Sequence, residues 1–179
     1  MEEFQLKLYN TENYILTDVK DFFFENGYLK TFDFFCIIIW KSNRAKSKVA
    51  KRLLKYNPDL EKSIKELTTK IYNAKTEKEK MQILISDFGF RLPIASAILT
   101  LLYPENFTIY DIRVCDTFPE YNGISNLKFE NLWAKYSNYL DCVKNYGKLN
   151  VSLRDKDRQL WGKSFHEQLL NDIKSNFKK

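Results

Sequence analysis

Apolar residues recur along most of the chain three and four positions apart, which is the spacing of helices that bury one face. The segment 44–56 mixes cationic and apolar residues in this pattern, and the segment 59–74 repeats it. The run 34–40 is apolar on all sides, which predicts a buried helix over 31–41. A buried strand is the alternative for this run, but no partner strand with alternating polarity occurs. The pattern therefore predicts an all-α fold.

Residues that begin or end helices divide this pattern into segments. Thr17 and Asp18 predict the start of a helix that ends before Gly27. Thr76 and Glu79 have the spacing of a capping box, which predicts a helix start. The remaining signals predict a turn at Asn122 and Gly123, a helix over 129–146, and a last helix that starts at Ser152 with Asp155.

The composition agrees with a folded helical chain. Of the 179 residues, 44% are hydrophobic and 16% aromatic, which argues against disorder. Only five glycines and four prolines interrupt the chain, which favours long helices over a sandwich or barrel. We expect one compact helical domain over 1–179, with a frayed basic tail at about 174–179.

The net charge of +6 is distributed unevenly. Acids outnumber bases before position 41, and a run without any acid then follows. Such a run meets phosphate backbones, an anionic membrane surface, or only solvent. The run consists of Lys41, Arg44, Lys46, Lys48, Lys51, Arg52 and Lys55.

The three cysteines lack the paired spacings of zinc or iron–sulfur sites. We expect reduced thiols in a cytoplasmic protein, with no metal and no cofactor. The amino terminus shows no basic region followed by an apolar one, so no signal peptide is predicted. The longest apolar run, 34–40, is too short to span a bilayer, so no membrane partner is expected.

Two stretches resemble a known superfamily. The letters GFRLPIASAIL, from Gly89, and TIYDIRV, around Asp111, resemble the helix–hairpin–helix and the downstream aspartate of the DNA glycosylases that carry this hairpin. The blocks FFCIIIWKSNR and SLRDKDRQLW are similar to blocks in a poorly characterised bacterial subgroup of the same superfamily. The resemblance implies a hairpin at about 81–103 in an all-α domain.

The resemblance also implies contact with the backbone of duplex DNA, without reading of base sequence. A turn at a helix amino terminus points backbone N–H groups outward, where they hold a phosphate. Two residues depart from the superfamily pattern: Arg91 replaces a glycine, and Pro93 replaces the lysine that attacks the sugar in bifunctional members. The residues expected to contact the DNA backbone are Gly89, Phe90, Arg91, Pro93, Lys41, Arg44, Lys48, Lys51, Arg52 and Arg113.

Asp111 takes the place of the superfamily's catalytic carboxylate. Such a group stabilises the positive charge that develops on the sugar when an N-glycosidic bond breaks. The alternative is that Asp111 only caps a short helix that ends near Pro119. A flipped base would also need aromatic faces to stack on, although large aromatics are more often core residues. The candidates for these faces are Trp40, Tyr110, Tyr28 and Trp161.

The function expected from the resemblance is monofunctional base excision, because Pro93 offers no amine for a Schiff base. Two alternatives stay open. One is a non-catalytic DNA-binding module on the same scaffold, which the departures at Arg91 and Pro93 favour. The other is an all-α protein-interaction domain, which scattered charges over 41–55 would favour. A monomer is the favoured oligomeric state.

Overall fold

The computed structural model describes residues 2–178. Within these residues the secondary structure is helical and no strand occurs, so the all-α prediction is confirmed. The chain forms two compact units that divide between Tyr103 and Pro104. The expectation of one domain over the whole chain stays a prediction.

The first unit consists of short and medium-length helices. A π-helical turn at Ile15–Val19 joins α2 to α3, a 3-10 turn at Asn43–Ala45 precedes α5, and a π-helical turn at Ile83–Asp87 extends α7. The α-helices are α1 (Glu2–Tyr9), α2 (Thr11–Tyr14), α3 (Lys20–Asn26), α4 (Thr31–Ser42), α5 (Lys46–Tyr56), α6 (Leu60–Asn73), α7 (Glu77–Gln82) and α8 (Leu92–Leu102).

For the first predicted helix, the position of the end is confirmed and the position of the start is wrong. Gly27 takes a left-handed conformation at φ +76° and donates its N–H to the carbonyl of Phe23, which ends α3. The predicted cap at Thr17 lies inside the helix, where its hydroxyl donates to the carbonyl of Asn13 at 2.8 Å. The helix starts earlier, at a cap formed by Asn10.

Helices α4 and α8 pack together in the core of the first unit. The predicted helix over 31–41 is confirmed as α4, with Phe34, Ile37 and Ile38 buried. Ile39 is 45% exposed, so the expectation that this run is buried on all sides is wrong for one edge of the helix. Most of α8 is buried, which agrees with its apolar sequence.

The two amphipathic helices predicted next to the basic run are also confirmed. Val49 and Leu53 are buried on α5, and the hydroxyl of Ser63 on α6 donates to the carbonyl of Leu53 at 2.8 Å. The capping box at Thr76 and Glu79 is present with both of its hydrogen bonds. The part of the basic run from Lys46 to Lys55 therefore lies on a helix whose other side is fixed in a core.

The second unit contains the downstream aspartate and the two longest helices of the described chain. Gly123 adopts a left-handed conformation in the predicted turn, and the predicted helices after 129 and after Ser152 are confirmed. The helix after Asp111 is shorter than predicted and gives way to turns before Pro119. The helices are α9 (Ile112–Cys115), α10 (Phe129–Asn145) and α11 (Leu153–Lys174), with 3-10 turns at Pro119–Tyr121 and Ile124–Asn126.

Candidate functional site

The predicted hairpin region forms a helix, a glycine turn and a second helix. Gly89 has φ +67°, a left-handed conformation that glycine adopts without steric cost. The N–H of Phe90 donates to the carbonyl of Leu84 at 2.8 Å and closes the end of the first helix. Pro93 lies in the first turn of α8, where its missing N–H is not needed by the helix. This geometry exposes the turn while Phe90 stays buried.

A cavity of about 130 Å³ lies beside this turn, between α5 and the start of α8. Its cationic lining residues are Lys48 and Arg52 from α5 and Arg91 from the turn. The remaining lining is apolar and consists of Ala45, Val49, Phe90 and Ile94. Three cations therefore surround an apolar floor, and no acidic residue lines the cavity.

The side chain of Arg52 covers the turn itself. Its Nη1 atom lies 3.5 Å from the point where a Cβ on Gly89 would stand. Arg91, two residues after Gly89, adds another guanidinium to the lining of the cavity. Guanidinium groups bind phosphate oxygens through paired hydrogen bonds, and Pro93 removes one backbone donor from the helix start. The donors at this turn are therefore largely side-chain groups.

The cavity is large enough for one small anion. Its volume is roughly that of four molecules of liquid water at ~30 Å³ each, which accommodates a single tetrahedral oxyanion. An apolar floor lowers the local dielectric, which strengthens the attraction between the cations and such an anion. The arrangement is thus chemically suited to a phosphate group.

The other cations of the basic run extend this surface in one direction. Lys48, Lys51, Arg52 and Lys55 are three, four and seven positions apart on α5, so they lie on one helical face. Arg44 is exposed in the preceding 3-10 turn, and Lys41 is half-buried at the end of α4. Four of the five cations on α5 are therefore grouped, whereas Lys46, at the first position of the helix, lies on another side and donates to Oδ1 of Asn43 at 2.9 Å.

Asp111 caps the short helix α9 of the second unit. Its Oδ1 accepts a hydrogen bond from the backbone N–H of Arg113 at 3.0 Å, and its side chain is half-buried. The carboxyl group thus has a fixed orientation at the end of an extended segment. The capping role is present, and it is compatible with a chemical role.

The segment before Asp111 is buried although it is not helical. Phe107, Thr108, Ile109 and Tyr110 are all buried. Buried backbone groups need hydrogen-bond partners, and here tyrosines of α10 supply them. Their contacts are Tyr136 Oη donating to the carbonyl of Thr108 at 2.6 Å and accepting from its N–H at 3.2 Å, and Tyr139 Oη donating to the carbonyl of Ile109 at 2.8 Å.

Sequence reasoning missed these two tyrosines. Aromatic residues at helical spacing indicate only a buried face, and nothing in the pattern of α10 shows which backbone they reach. Burial raises the pKa of Tyr136 and Tyr139 well above their ordinary value, so both hydroxyls stay protonated as donors. They fix the position of Asp111 indirectly, by holding the segment that leads to it.

Arg113 is engaged inside the second unit. Its Nη1 donates to Oε1 of Gln168 at 2.8 Å, and its guanidinium lies 5.1 Å from the ring centre of Trp161 and 5.4 Å from that of Phe165. The predicted role of Arg113 at the DNA backbone would require it to leave these contacts. Asp116 accepts hydrogen bonds from Gln168 and Ser164, so α9 is anchored on α11 at both ends.

The aromatic residues predicted to stack on a flipped base differ in how far their side chains are exposed. Tyr110 is only 6% exposed and its hydroxyl donates to the carbonyl of Tyr121 at 2.8 Å, so it occupies a core position with no face open to a base. Tyr28 is half-buried, with the Nζ of Lys65 4.3 Å from its ring centre. Trp40 is half-buried near the end of α4. Trp161 is 44% exposed.

Two of the three cysteines, Cys36 and Cys115, are poor nucleophiles. Burial raises the pKa of Cys36 and of Cys115 to about 11, and a thiol with a high pKa carries little thiolate at neutral pH. Among the residues that the structure describes, no three His, Cys, Asp or Glu side chains meet in a way that could hold a metal ion. Over the same residues, no helix has the length and apolar character needed to span a membrane.

Comparison of the chain with known protein families, with curated proteins and with solved structures finds no match. The resemblance to the glycosylase superfamily therefore stays a prediction.

Proposed function

We propose that the protein binds DNA through the phosphate backbone and acts as a DNA glycosylase-like protein of base-excision repair. The observation that carries this proposal is the cavity at the glycine turn, where Lys48, Arg52 and Arg91 converge. Each of these residues was expected at the DNA backbone from the sequence alone. Their convergence at one cavity supports that expectation on independent, geometric grounds.

The cavity favours a phosphate over other partners for two reasons. Its cations include two arginines, whose planar guanidinium groups match the oxygens of a phosphate. Its apolar floor offers no hydrogen-bonding group to read a base edge, so contact there positions the protein without specifying sequence. The further cations of the same face, Lys51 and Lys55, lie along α5, as contact with an extended backbone requires.

The chemical part of the proposal assigns hydrolysis of an N-glycosidic bond to Asp111. A fixed carboxylate stabilises the sugar cation of the transition state and orients the attacking water. The cap bond from Arg113 and the buried segment before Asp111 support this role because they hold the carboxyl group in place. Pro93 excludes an amine nucleophile at its position, so the proposed enzyme is monofunctional.

A non-catalytic DNA-binding module is the second candidate. The observation that favours it is the cap bond itself, since capping α9 is sufficient reason for an aspartate at this position. A protein-interaction domain that binds no nucleic acid is disfavoured, because four of the five cations of α5 lie on one face.

The test compares Asp111→Asn with Asp59→Asn. Asp59 caps α6 by accepting from the N–H groups of Glu61 and Lys62, so it is a matched aspartate with no proposed chemistry. Asparagine caps about as well as aspartate, so both variants should fold and bind duplex DNA like the parent protein. Free-base release from a panel of damaged and modified duplexes should fall ~100-fold or more only for Asp111→Asn.

The outcomes separate the candidates. DNA binding without base release from any duplex of a broad panel would favour the non-catalytic module. Strand cleavage without alkali, through an imine that borohydride traps, would contradict the monofunctional assignment. Absence of any salt-dependent DNA binding would contradict the proposal as a whole.

A further inference from the structure

An exposed tyrosine lies one helical turn beyond the cavity at the glycine turn. Tyr56 is the last residue of α5 and is 48% exposed. It follows Lys48 and Arg52, which line the cavity, at intervals of four residues. Residues four apart lie on the same side of a helix, with about 6 Å of rise between them. Tyr56 therefore continues the row of side chains that α5 contributes to the cavity.

The ring of Tyr56 is held in place by Phe88. The two rings are stacked, with 4.2 Å between their centres and 19° between their planes. Phe88 is 2% exposed and directly precedes Gly89. One face of the Tyr56 ring is covered by this contact, so its exposed surface belongs to the other face and the ring edge. An open aromatic face of fixed orientation thus lies next to the turn that Arg52 covers.

Lys70 of α6 lies beside the same pair of rings. Its Nζ is 5.6 Å from the ring centre of Phe88 and 2.9 Å from a carboxylate oxygen of Glu66. The hydrogen bond to Glu66, together with the charges of Glu66 and Asp87, raises the pKa of Lys70, so its ammonium group stays charged. These two acids therefore act on Lys70, whereas the lining of the cavity one turn away contains no acid.

We propose that the cavity and Tyr56 together bind single-stranded DNA, with the phosphate of one nucleotide in the cavity and its base stacked on Tyr56. A nucleotide carries its charge at one end and a flat aromatic base at the other, and α5 offers cations and an aromatic face in the same order. Aromatic rings beside a cationic groove are a usual means by which proteins hold single strands. A base inside a duplex is covered by its neighbours, so only an unpaired base reaches this face.

The charge and the small area of this surface favour a nucleotide over a protein as the occupant. With about 200 Å² for a large aromatic side chain, Tyr56 exposes only about 100 Å², far below the roughly 800 Å² that each partner buries in a standard protein interface. Three cations adjoin this one ring, which matches a ligand that is both anionic and aromatic. The inference rests on the phosphate contact of the proposed function and adds the kind of DNA that is preferred.

The first test measures binding of the full chain to three labelled duplexes by fluorescence anisotropy. One carries a short single-stranded overhang of thymidines, one carries an overhang of equal length without bases, and one has blunt ends. The first two contain the same number of phosphates, so the difference between them measures the contribution of the bases alone. The parent protein should bind the thymidine overhang about 10-fold more tightly than the abasic one, the scale of one stacked base.

Variants of Tyr56 separate stacking from structural support. Tyr56→Leu should abolish the preference and keep the affinity for the abasic overhang, because leucine retains an apolar contact with Phe88 but offers no flat face. Tyr56→Phe and Tyr56→Trp should keep the preference, since each retains an aromatic ring. The matched control is Tyr72→Leu, because Tyr72 is 41% exposed, packs against Phe23 and does not line the cavity. Thermal melting checks that each variant folds.

The second test locates the base directly. With iodouracil in place of thymine in the overhang, ultraviolet irradiation should attach the DNA to the peptide that contains Tyr56, as identified by mass spectrometry. A tyrosine that only supports the turn would not form this link. Tyr56→Leu should lose the link, and Tyr72→Leu should keep it.

The outcomes distinguish this inference from the proposed function. Equal, salt-dependent binding of the thymidine and abasic overhangs would overturn the inference and leave the phosphate contact standing. Absence of salt-dependent binding to all three duplexes would contradict the proposed function itself. A loss of preference in Tyr72→Leu as large as that in Tyr56→Leu, or cross-links found only outside α5, would place the base elsewhere and would also overturn the inference.

Discussion

The cavity at the glycine turn makes a quantitative prediction about salt. Each phosphate that a cation neutralises releases counterions, and this contributes about 0.9 to the slope of log K against log salt for duplex DNA. The cavity holds one phosphate, so Lys48→Gln, Arg52→Gln and Arg91→Gln together should lower the magnitude of the slope by about 0.9. Between 50 and 200 mM salt, a slope of that size changes affinity by roughly 3.5-fold.

The assay is fluorescence anisotropy of a labelled duplex of arbitrary sequence, titrated at several salt concentrations. Each single variant should lower the magnitude of the slope by a part of that amount, and Arg52→Lys should keep the slope while weakening binding, because it keeps the charge and loses the planar fork. The matched control is Lys62→Gln, which removes the same charge from an exposed side chain that pairs with Asp59 at 3.6 Å and does not line the cavity.

The reasoning would be refuted if the triple variant kept the slope of the parent protein. It would also be refuted if Lys62→Gln lowered the slope as much as Arg52→Gln does, because the effect would then follow net charge instead of position. Since Arg52 covers Gly89, thermal melting of each variant must show that the turn is intact before slopes are compared.

Three further predictions concern stability. Tyr136→Phe should lower the free energy of unfolding in urea by about 1 to 3 kcal/mol, because it leaves the buried N–H and carbonyl of Thr108 without the hydroxyl that serves both; an unchanged value would contradict this account. The backbone N–H of Lys75 and that of the next residue hold the pKa of Glu79 below its ordinary value of 4.5, so its stabilising effect is present above pH 4.5 and is lost as the pH falls through the folded-state value. Glu79→Gln should therefore flatten the acid side of a plot of melting temperature against pH, and an unchanged acid side would count against the capping box. Gly89→Val should lower the melting temperature more than Gly89→Asn, because φ is +67° and asparagine tolerates that conformation far better than a β-branched residue; equal losses would show that backbone strain is not the cause.

Local signals in the sequence were sufficient for much of the helical framework. Gly27 and the pair Thr76 and Glu79 act within one turn of chain, so their effect does not depend on distant residues. The helix start predicted at Thr17 was wrong because its hydroxyl donates back to the carbonyl of Asn13, an option that a helix-interior threonine always has. A threonine hydroxyl can cap a helix or donate to a carbonyl one turn earlier, and the sequence pattern alone does not show which of the two hydrogen bonds forms.

The candidate site could be predicted only in part, because its contacts join distant positions. The sequence placed Arg52 in a basic run and Gly89 in a turn, but their proximity depends on how α5 packs beside α8. Likewise, Tyr110 resembled a base-stacking residue until its burial and its bond to the carbonyl of Tyr121 placed it in the core. Residue type indicates which chemistry is available, whereas the packing decides which face remains open.

The buried segment 107–110 has a consequence for the variation that this chain tolerates. When a residue is inserted near a helix, the helix keeps its backbone hydrogen bonds, because donors and acceptors both lie within it. The backbone of the segment 107–110 instead depends on the hydroxyls of Tyr136 and Tyr139, 28 to 30 positions away. One inserted or deleted residue would shift the carbonyls of Thr108 and Ile109 past the hydroxyls that serve them and would displace Asp111 by one position. Many side chains here are replaceable by others of similar volume. The number of residues in the segment cannot change in the same way. Natural or engineered variants should therefore differ in the residue types of this segment and keep its length.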